Sequence, residues 1–252
     1  MPSRPPHASP RGVTAGIFRL HLRDDLPREV TTKHWAVDHA ALVSAGLPHA
    51  GQYTQLQFDP KATGCWPEAR RVGVTIPDAG RLDGIAELVF ARTADALRSA
   101  GGTPEIARDE QNAFRQIVGQ LTGPGRGRVW DAASPPKGFH HVVVFLRRRG
   151  GVSRRAFTSF VHDELGAALH AGGAKDLRTH TFIPSAKFAN RSPGVAHHHP
   201  QPDRFHGVLI FATPDPDARG LLASVALAGP LGRQSDALSA AHGYTVERYD
   251  RV

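Results

Sequence analysis

The sequence predicts an α+β protein in which two ferredoxin-like βαββαβ halves pack sheet to sheet as one intramolecular barrel. A strand-like run, Gly16–Leu22, leads into a helical stretch, Pro27–Ala45, and the same order recurs at His140–Leu146 and Ser153–Ala171. Each helical stretch is followed by a short strand, a Pro-rich loop and a further strand. A repeat spaced by about 125 residues is a whole folding unit rather than a solenoid turn.

The first strand and helix show clear periodicity. Along the strand Gly16–Leu22, Phe18 and Leu20 fall on one face, whereas Arg19 and His21 fall on the other. The helix Pro27–Ala45 carries apolar residues at helical spacing and begins at a proline, which suits a first turn. These patterns predict a strand with one face toward helices and one mixed face.

The remaining elements follow from shorter patterns. The short strands are predicted at Gln52–Phe58, Gly84–Ala91, Arg178–Phe182 and Gly207–Ala212. Further helices are predicted at about 94–100 and 105–120, and a last strand of the first half at about 128–131. The Pro/Gly-rich segment 132–138 reads as a linker. The predicted organisation is therefore a disordered tail (1–13), a first half (14–131), the linker (132–138) and a divergent second half (139–252).

The mixed strand faces predict a polar-lined chamber between the two sheets. The residues expected to line it are Arg19, His21, Tyr53, Gln55 and Glu87 from the first half, and His141, Val143, Phe145, His180 and Phe182 from the second. Several hydrogen-bonding groups converging on one cavity would be costly to bury without a ligand or water. An Arg19–Glu87 ion pair is the structural alternative.

Composition restricts the class of protein. The 252 residues are 40% hydrophobic and 7% aromatic, and no apolar run reaches the length of about 20 that spans a membrane. The net charge of +8 is spread over scattered arginines, which argues against a nucleic-acid interface. The start lacks the apolar core of a signal peptide, and a lone Cys65 excludes an internal disulfide, so we expect a cytoplasmic protein.

Three segments resemble the EthD-like family of the dimeric α+β-barrel superfamily. Trp35-x-x-x-His39-Ala-Ala-Leu is similar to its [YF]-W-x-x-x-H-[GA]-P-L signature, although Ala41 stands where proline is usual. The segment Asp83–Phe90 resembles its D-G-V-A-E-L-x-F strand. Asp109-Glu110 with Phe114 resembles a later acidic motif. The resemblance covers about residues 15–131 and, more weakly, 139–252.

The second copy departs from the signature. A shift of 126 residues places Val161 at the Trp35 position and Leu165 at the His39 position, so the second half lacks the histidine. One surviving site and one structural half are therefore expected. A fused pair supplies its own partner sheet, so we expect a monomer or a weak homodimer.

The resemblance implies small-molecule chemistry without a bound cofactor, and no dinucleotide- or phosphate-binding glycine motif is present. We favour an enzyme, a cofactor-independent lyase, dehydratase or isomerase acting on a hydrophobic, oxygenated small molecule. His39 is the expected general acid–base group, because an imidazole exchanges protons near neutral pH. Arg19 and His21 are the other candidate catalytic residues.

The candidate substrate-binding residues share positions on the predicted site faces: Trp35, Tyr53, Gln55, Glu87, His141 and His180. No metal site is expected, because the run His197–His199 lies in a Pro-rich loop without helical spacing. Two alternatives remain open: a haem-binding protein or haem enzyme of the same superfamily, and a non-catalytic carrier or accessory protein of an oxidative or biosynthetic pathway.

Overall fold

A computed structural model describes residues 10–99, 102–130, 135–183, 192–197 and 204–251. Eight strands form the centre of the molecule. They are β1 (Arg11–Leu22), β2 (Gln52–Phe58), β3 (Gly84–Phe90), β4 (Phe114–Val129), β5 (His140–Arg148), β6 (Lys175–Phe182), β7 (Gly207–Thr213) and β8 (Leu238–Arg251). The strand β1 begins at Arg11, within the segment that we expected to be a tail.

The strands close into a barrel in the order β1-β3-β2-β8-β5-β7-β6-β4. All neighbouring pairs are antiparallel; in the register, Leu20 faces Gly84 between β1 and β3, and Leu146 faces Gly207 between β5 and β7. The first four strands are ordered β4-β1-β3-β2 and the last four β8-β5-β7-β6. Closure leaves the sheet without a long open edge.

Helices cover the outside of the barrel. The helix α1 runs without a break through Arg28–His34, a π-helical middle Trp35–His39, and Ala40–Gly46. The helix α4 repeats this form with Arg154–Ser159, a π-helical Phe160–Gly166, and Ala167–Ala171. The shorter helices are α2 (Thr93–Ser99), α3 (Pro104–Ala113), α5 (Arg219–Leu227) and α6 (Gln234–Ala237). No helix in the described ranges is long and apolar enough to cross a membrane.

The prediction of a helix over 105–120 is wrong beyond Ala113. There the chain turns into β4, which pairs with β1 from Leu22 opposite Phe114 onward. The apolar residues Phe114, Ile117 and Leu121 are spaced as on a helix, so periodicity alone could not separate the two conformations. Pairing with β1 makes this segment a strand, because it satisfies the backbone hydrogen-bonding groups of a buried segment.

The predicted faces of β2 are also wrong. Leu56 and Phe58 point into the barrel, where they belong to its apolar cluster. Tyr53 and Gln55 face the helices instead. Gln55 can be buried there because its Nε2 donates a hydrogen bond to the backbone carbonyl of Trp35 at 2.8 Å, which satisfies both polar groups.

The barrel interior is filled with side chains, so the expected polar-lined chamber is wrong. The central apolar cluster includes Ile17, Ile85, Val143, Phe145, Phe182, Val208 and Tyr244. The rings of Phe58 and Tyr244 stack with centroids 4.4 Å apart. These side chains of the two inner faces interdigitate as in a protein core.

The two long connections each cross to the other half of the chain. Between β2 and β3, Cys65 N–H donates to the carbonyl of Gly243 at 3.1 Å, and Trp66 Nε1 donates to Gln234 Oε1 at 2.7 Å. Between β6 and β7, Ile117 N–H donates to the carbonyl of Ala196 at 2.9 Å. Each connection thereby pairs with a strand portion that its barrel neighbour leaves uncovered.

Candidate active site

A cavity lies outside the barrel, between the outer face of strands β1–β4 and helices α1 and α3. The space open to the centre of a water-sized sphere is about 70 Å³, and the total volume free of atoms, mouth included, is about 650 Å³. The wall is mostly apolar: Phe18, Leu20, Val43, Leu47, Ala86, Leu88, Ile106, Phe114 and Ile117. The polar groups on it come from His39, Tyr53, Thr103 and Glu110, with Trp35 beside them.

His39 sits at the end of the π-helical middle of α1, and its ring is buried. Its Nδ1 lies 2.8 Å from Oδ2 of Asp109 on α3, and its ring meets Phe114 edge-on at 5.4 Å. Because Asp109 is an acceptor, the neutral ring carries its proton on Nδ1 and leaves Nε2 with a lone pair. π-Helical turns occur often at functional sites.

Burial lowers the pKa of His39 below its usual 6.5, and hydrogen bonding and attraction from Asp109 oppose that shift. The imidazole is therefore neutral at neutral pH and is ready to accept a proton. A buried base with an oriented ring and a carboxylate behind it is the arrangement that general base catalysis uses.

Asp109 holds two histidines at once. Its Oδ1 lies 2.9 Å from Nε2 of His34, and Asn112 Nδ2 donates to the same oxygen at 3.1 Å. Burial raises the pKa of Asp109, but the hydrogen bonds from His39 and Asn112 and the nearby His34 outweigh it and lower the pKa overall. The carboxylate therefore stays charged and can stabilise a protonated His39.

Tyr53 and Gln55 project from β2 toward α1. Gln55 Nε2 donates to the Tyr53 hydroxyl oxygen at 2.8 Å as well as to the carbonyl of Trp35. Burial raises the pKa of Tyr53 to about 12, with hydrogen bonding to Gln55 and Trp35 opposing it. The phenol is thus a neutral hydroxyl on the cavity wall, able to donate to an oxygen atom of a ligand.

Glu110 closes one side of the cavity together with the far half of the chain. The hydroxyl of Ser192, on the connection between β6 and β7, donates a hydrogen bond to Oε2 of Glu110. Val195 on the same connection packs in the apolar cluster that surrounds the cavity. The wall of this cavity therefore depends on a segment that lies far away in sequence.

The structure brings together three of the predicted site residues and separates the others. Trp35, His39 and Tyr53 line the cavity, and Gln55 supports them from behind. Arg19, His21, Glu87, His141 and His180 do not line it. Arg19 instead points into the barrel, where its guanidinium carbon lies 5.4 Å from the ring centre of Phe205.

Glu87 pairs with residues of the second half rather than with Arg19. Its Oε1 lies 2.7 Å from Nε2 of His180, and its Oε2 lies 3.1 Å from Nε of Arg178. Burial raises the pKa of Glu87, but Arg178 and His180 outweigh it and lower the pKa, so the carboxylate is charged. Arg178 also contacts Asp176, at 3.1 Å.

His141 belongs to the same network. Its Nε2 lies 3.1 Å from Oδ2 of Asp176, and its ring stacks on Tyr249 with centroids 3.8 Å apart. The Tyr249 hydroxyl and Arg251 also donate to Asp176, at 3.0 and 2.8 Å. Opposite charges are thus paired with one another in this cluster, which has the character of a structural network.

Asp109 and Glu110 are site residues that we did not predict. Both were recognised in the acidic motif that ends in Phe114, but sequence reasoning gave them no role. The signal was present in the spacing: on a helix, residues 106, 109, 110 and 113 share one face. Only the packing of α3 against α1 shows that this face meets His39.

The corresponding place in the second half is apolar. Val161 and Leu165 are fully buried among Phe157, Phe160, Leu169, Leu209 and Phe211. The nearby His162 bonds Thr179 Oγ1 through Nδ1 at 2.7 Å. Apolar side chains thus stand where the first half has its tryptophan and histidine.

Neither a metal site nor a reactive thiol is found in the described parts of the chain. No group of three or more His, Cys, Asp or Glu side chains is placed to hold a metal ion there. Of the run His197–His199, His197 bonds the carbonyl of Ile117 at 3.1 Å, and the other two lie outside the described residues. Burial raises the pKa of Cys65 to about 12, so its thiol is protonated at neutral pH.

No protein-family model matches the chain. A search of curated proteins also finds no match. Among solved structures, the chain is similar to a proposed monooxygenase from Lactobacillus acidophilus NCFM, with a TM-score of 0.54 and 8% identity over 96% of this chain and 94% of that one. It is also similar to a proposed monooxygenase from Fusobacterium nucleatum subsp. nucleatum ATCC 25586, with a TM-score of 0.55 and 7% identity over 95% and 94% of the two chains. At such identities the likeness shows the fold alone, which here is a closed eight-stranded barrel with helices on its outside.

Proposed function

We propose that this protein is a cofactor-independent enzyme, a lyase, dehydratase or isomerase, that uses His39 for acid–base chemistry on a hydrophobic, oxygenated small molecule. One observation carries the proposal: a neutral, buried His39, oriented by the charged Asp109, on the wall of an apolar cavity. The resemblance of residues 35–42 and 83–90 to EthD-like proteins supports it.

The proposed chemistry starts with proton abstraction next to a carbonyl group. Nε2 of His39 takes the proton, the C–H electron pair moves into the new C=C bond, and the carbonyl oxygen becomes an enolate. Asp109 stabilises the imidazolium that forms, and the Tyr53 hydroxyl donates to the enolate oxygen. His39 then returns the proton, either to another carbon (isomerisation) or to a departing hydroxyl group (dehydration).

The cavity limits the substrate. Typical small-molecule sites measure about 300–1,000 Å³, so a space of about 70 Å³ takes only one end of a larger molecule. Ser99, Gly102 and Thr103 are among the more exposed residues of the wall, so we expect the rest of the substrate to extend past them. The apolar wall favours a hydrocarbon or aromatic ring that carries few oxygen atoms.

Haem does not fit this site. His39 with a carboxylate behind it has the character of a metal-ligating histidine. However, the cavity would have to enclose a whole porphyrin, and Trp35 and Phe114 pack edge to face beside it with centroids 5.7 Å apart. A flat absorbance spectrum near 400 nm in freshly purified protein is the expected result.

The second candidate is a carrier that binds pathway metabolites without converting them. It shares the apolar cavity but needs no base, so the orientation of His39 by Asp109 favours the enzyme. A carrier would bind a ligand of this class without exchanging its protons with solvent. This difference makes the two candidates experimentally distinguishable.

We also propose that the chain is a fused pair of ferredoxin-like halves, about residues 14–131 and 139–252, with one active site and no need of a partner chain. The orders β4-β1-β3-β2 and β8-β5-β7-β6 support it, as do π-helical turns in both α1 and α4. The apolar Val161 and Leu165 support a single site.

The test is solvent-proton exchange into a bound ketone. Aromatic and polyketide-like ketones would first be screened by thermal shift, and hits would be incubated with protein in D₂O and followed by mass spectrometry. We expect deuterium incorporation that His39→Gln abolishes and that Asp109→Asn lowers by about 10²-fold or more. Asp38→Asn is the control, because Asp38 is exposed and pairs with His34 rather than with His39. Binding without exchange in the unmodified protein would support the carrier instead.

A further inference from the structure

A second pocket lies between strands β4–β6, the start of α4 and the segment before β7, and it is strongly basic. It has about 200 Å³ of space and is lined by Arg126, Arg148, Arg154, Arg204 and His206 together with aromatic and threonine side chains. None of the described residues that line it is acidic. Four guanidinium groups on one small cavity produce a positive field that attracts anions.

The equivalent place in the first half of the chain contains a carboxylate. Asp83 directly precedes Gly84, which faces Leu20 in the β1–β3 register, and His206 directly precedes Gly207, which faces Leu146 in the β5–β7 register. The side chains of Asp83 and His206 each accept a hydrogen bond from a backbone N–H at the end of the neighbouring strand. Leu22 N–H donates to Asp83 Oδ2 at 2.8 Å, and Arg148 N–H donates to His206 Nδ1 at 3.2 Å.

The arginine at the start of the following helix differs in its partner. In the first half, Arg28 on α1 forms an ion pair with Asp83, and its Nη2 also donates to the carbonyl of Phe58 at 3.1 Å. Arg154 opens α4 as Arg28 opens α1. With His206 in place of the aspartate, the side chain of Arg154 forms no hydrogen bond or ion pair with any described residue.

His206 keeps the backbone contact without supplying negative charge. Because its Nδ1 accepts from Arg148 N–H, the neutral ring carries its proton on Nε2, which is a donor. Burial and the surrounding arginines lower its pKa to about 4. At neutral pH the histidine therefore supplies no negative charge beside Arg154.

Two further arginines of the pocket have donor groups without a described partner. The side chain of Arg126 forms no hydrogen bond or ion pair within the described residues, and Nε of Arg148 is buried without an acceptor, although its Nη1 donates to the carbonyl of Val152. The helix α4, which begins beside the pocket with Ser153 as its N-cap, directs its positive dipole end toward this region. Unpaired buried donors are costly unless a ligand or water satisfies them.

We propose that this pocket binds the oxyanion group of a small phosphate- or carboxylate-bearing molecule, which takes the place that the Asp83 carboxylate occupies in the first half. Guanidinium groups pair with such oxyanions through parallel N–H···O bonds. A phosphate suits the pocket better than a carboxylate because it offers more charge and more acceptor oxygens to several arginines.

The experiment is isothermal titration calorimetry with inorganic phosphate at pH 7.5 and constant ionic strength, with acetate as the carboxylate arm. The variants are Arg154→Gln and His206→Asp, and the control is Arg155→Gln, an exposed neighbour that does not line the pocket. Loss of one charged hydrogen-bond donor should weaken phosphate binding about tenfold or more in Arg154→Gln and leave the control unchanged. Weaker binding of acetate than of phosphate is expected.

His206→Asp supplies a second, independent readout. It restores the carboxylate seen beside Arg28, so we expect it to abolish phosphate binding and raise the Tm measured without phosphate. Absence of saturable heat with the unmodified protein would overturn the proposal, as would equal affinity in Arg154→Gln and Arg155→Gln. Circular dichroism of each variant confirms that a loss of binding is not a loss of fold.

Discussion

Glu87 and His180, which lie on opposite halves of the chain, meet inside the barrel with Oε1 2.7 Å from Nε2. Both side chains are fully buried, and Arg178 contacts the other carboxylate oxygen. The two halves are thus joined by a charge network as well as by the strand pairs β2–β8 and β4–β6. Such a network tolerates the loss of a member poorly.

Replacing Glu87 with glutamine should strongly destabilise the protein. The change leaves the Arg178 guanidinium buried with less compensating charge, and breaking a buried ion pair costs about 3–5 kcal/mol. Urea unfolding followed by circular dichroism measures the loss. Glu105→Gln is the matched control: Glu105 pairs with Arg108 on the exposed surface, where solvent screens the charges and little or no loss of stability is expected. Equal effects of the two substitutions would contradict a structural role for the network.

The Asp109→Asn substitution should lower the pKa of His39 further. Asp109 supplies the hydrogen bond and the negative charge that oppose desolvation, and an adjacent opposite charge shifts a pKa by about 1 unit or more. NMR titration of the histidine ring protons measures the value without any substrate. Asp38→Asn should change the pKa of His39 far less, because Asp38 is exposed and pairs with His34 rather than with His39. An unaltered His39 pKa in Asp109→Asn would show that the carboxylate does not control the imidazole.

Acidification should destabilise the folded state from about pH 6.5 downward. Burial lowers the folded-state pKa of His162 from 6.5 to about 3. Below pH 6.5 the His162 imidazole becomes protonated in the unfolded chain but stays neutral in the folded chain. The free energy of unfolding therefore falls by about 1.4 kcal/mol per pH unit for such a group. This loss continues until the pH reaches the folded value.

Substitution of His162 isolates this contribution. In His162→Gln, the slope of unfolding free energy against pH between 6.5 and about 4 should become shallower than in the unmodified protein. The control is His140→Gln, because His140 is exposed. Chemical unfolding at a series of pH values gives the slopes. Parallel curves for the unmodified protein and His162→Gln would disprove the assignment.

Gly84→Ala should destabilise the protein and disturb the cavity. A Cβ at this position would meet the carbonyl oxygen of Leu56 at 2.5 Å and Cη2 of Trp35 at 2.6 Å. Overpacking of this kind costs about 1–3 kcal/mol, and displacement of the indole would change tryptophan fluorescence. Gly80→Ala is the control, since a Cβ there has no neighbour within 4 Å. A Gly84→Ala protein with unchanged stability and emission would contradict the close packing of Trp35 on β3.

The sequence alone predicted the order of most elements because their patterns are local. The strand Gln52–Phe58 and the start of the strand at Gly84 were predicted as observed, and the predicted helix Pro27–Ala45 lies within one residue of α1 at either end. The break in equivalence at Leu165 was also visible. Apolar periodicity and punctuation by proline and glycine carry this information.

Position within the fold was harder to predict. The chain from Phe114 has apolar spacing that suits a helix, and only its pairing with β1 makes it a strand. The faces of β2 were reversed because a polar residue such as Gln55 can be buried when a helix carbonyl accepts its hydrogen bond. The placement of the site outside the barrel follows from these two facts.

By itself the sequence determined that this is an α+β chain, and it predicted an internal repeat with His39 in only one copy, because periodicity and residue identity are properties of the chain. The tertiary structure alone decided that Asp109 stands behind His39, that Ser192 reaches Glu110, and that Arg154 lacks the carboxylate that Arg28 has. The physical reason is that these contacts join residues distant in sequence, and their geometry is set by strand register and helix packing together.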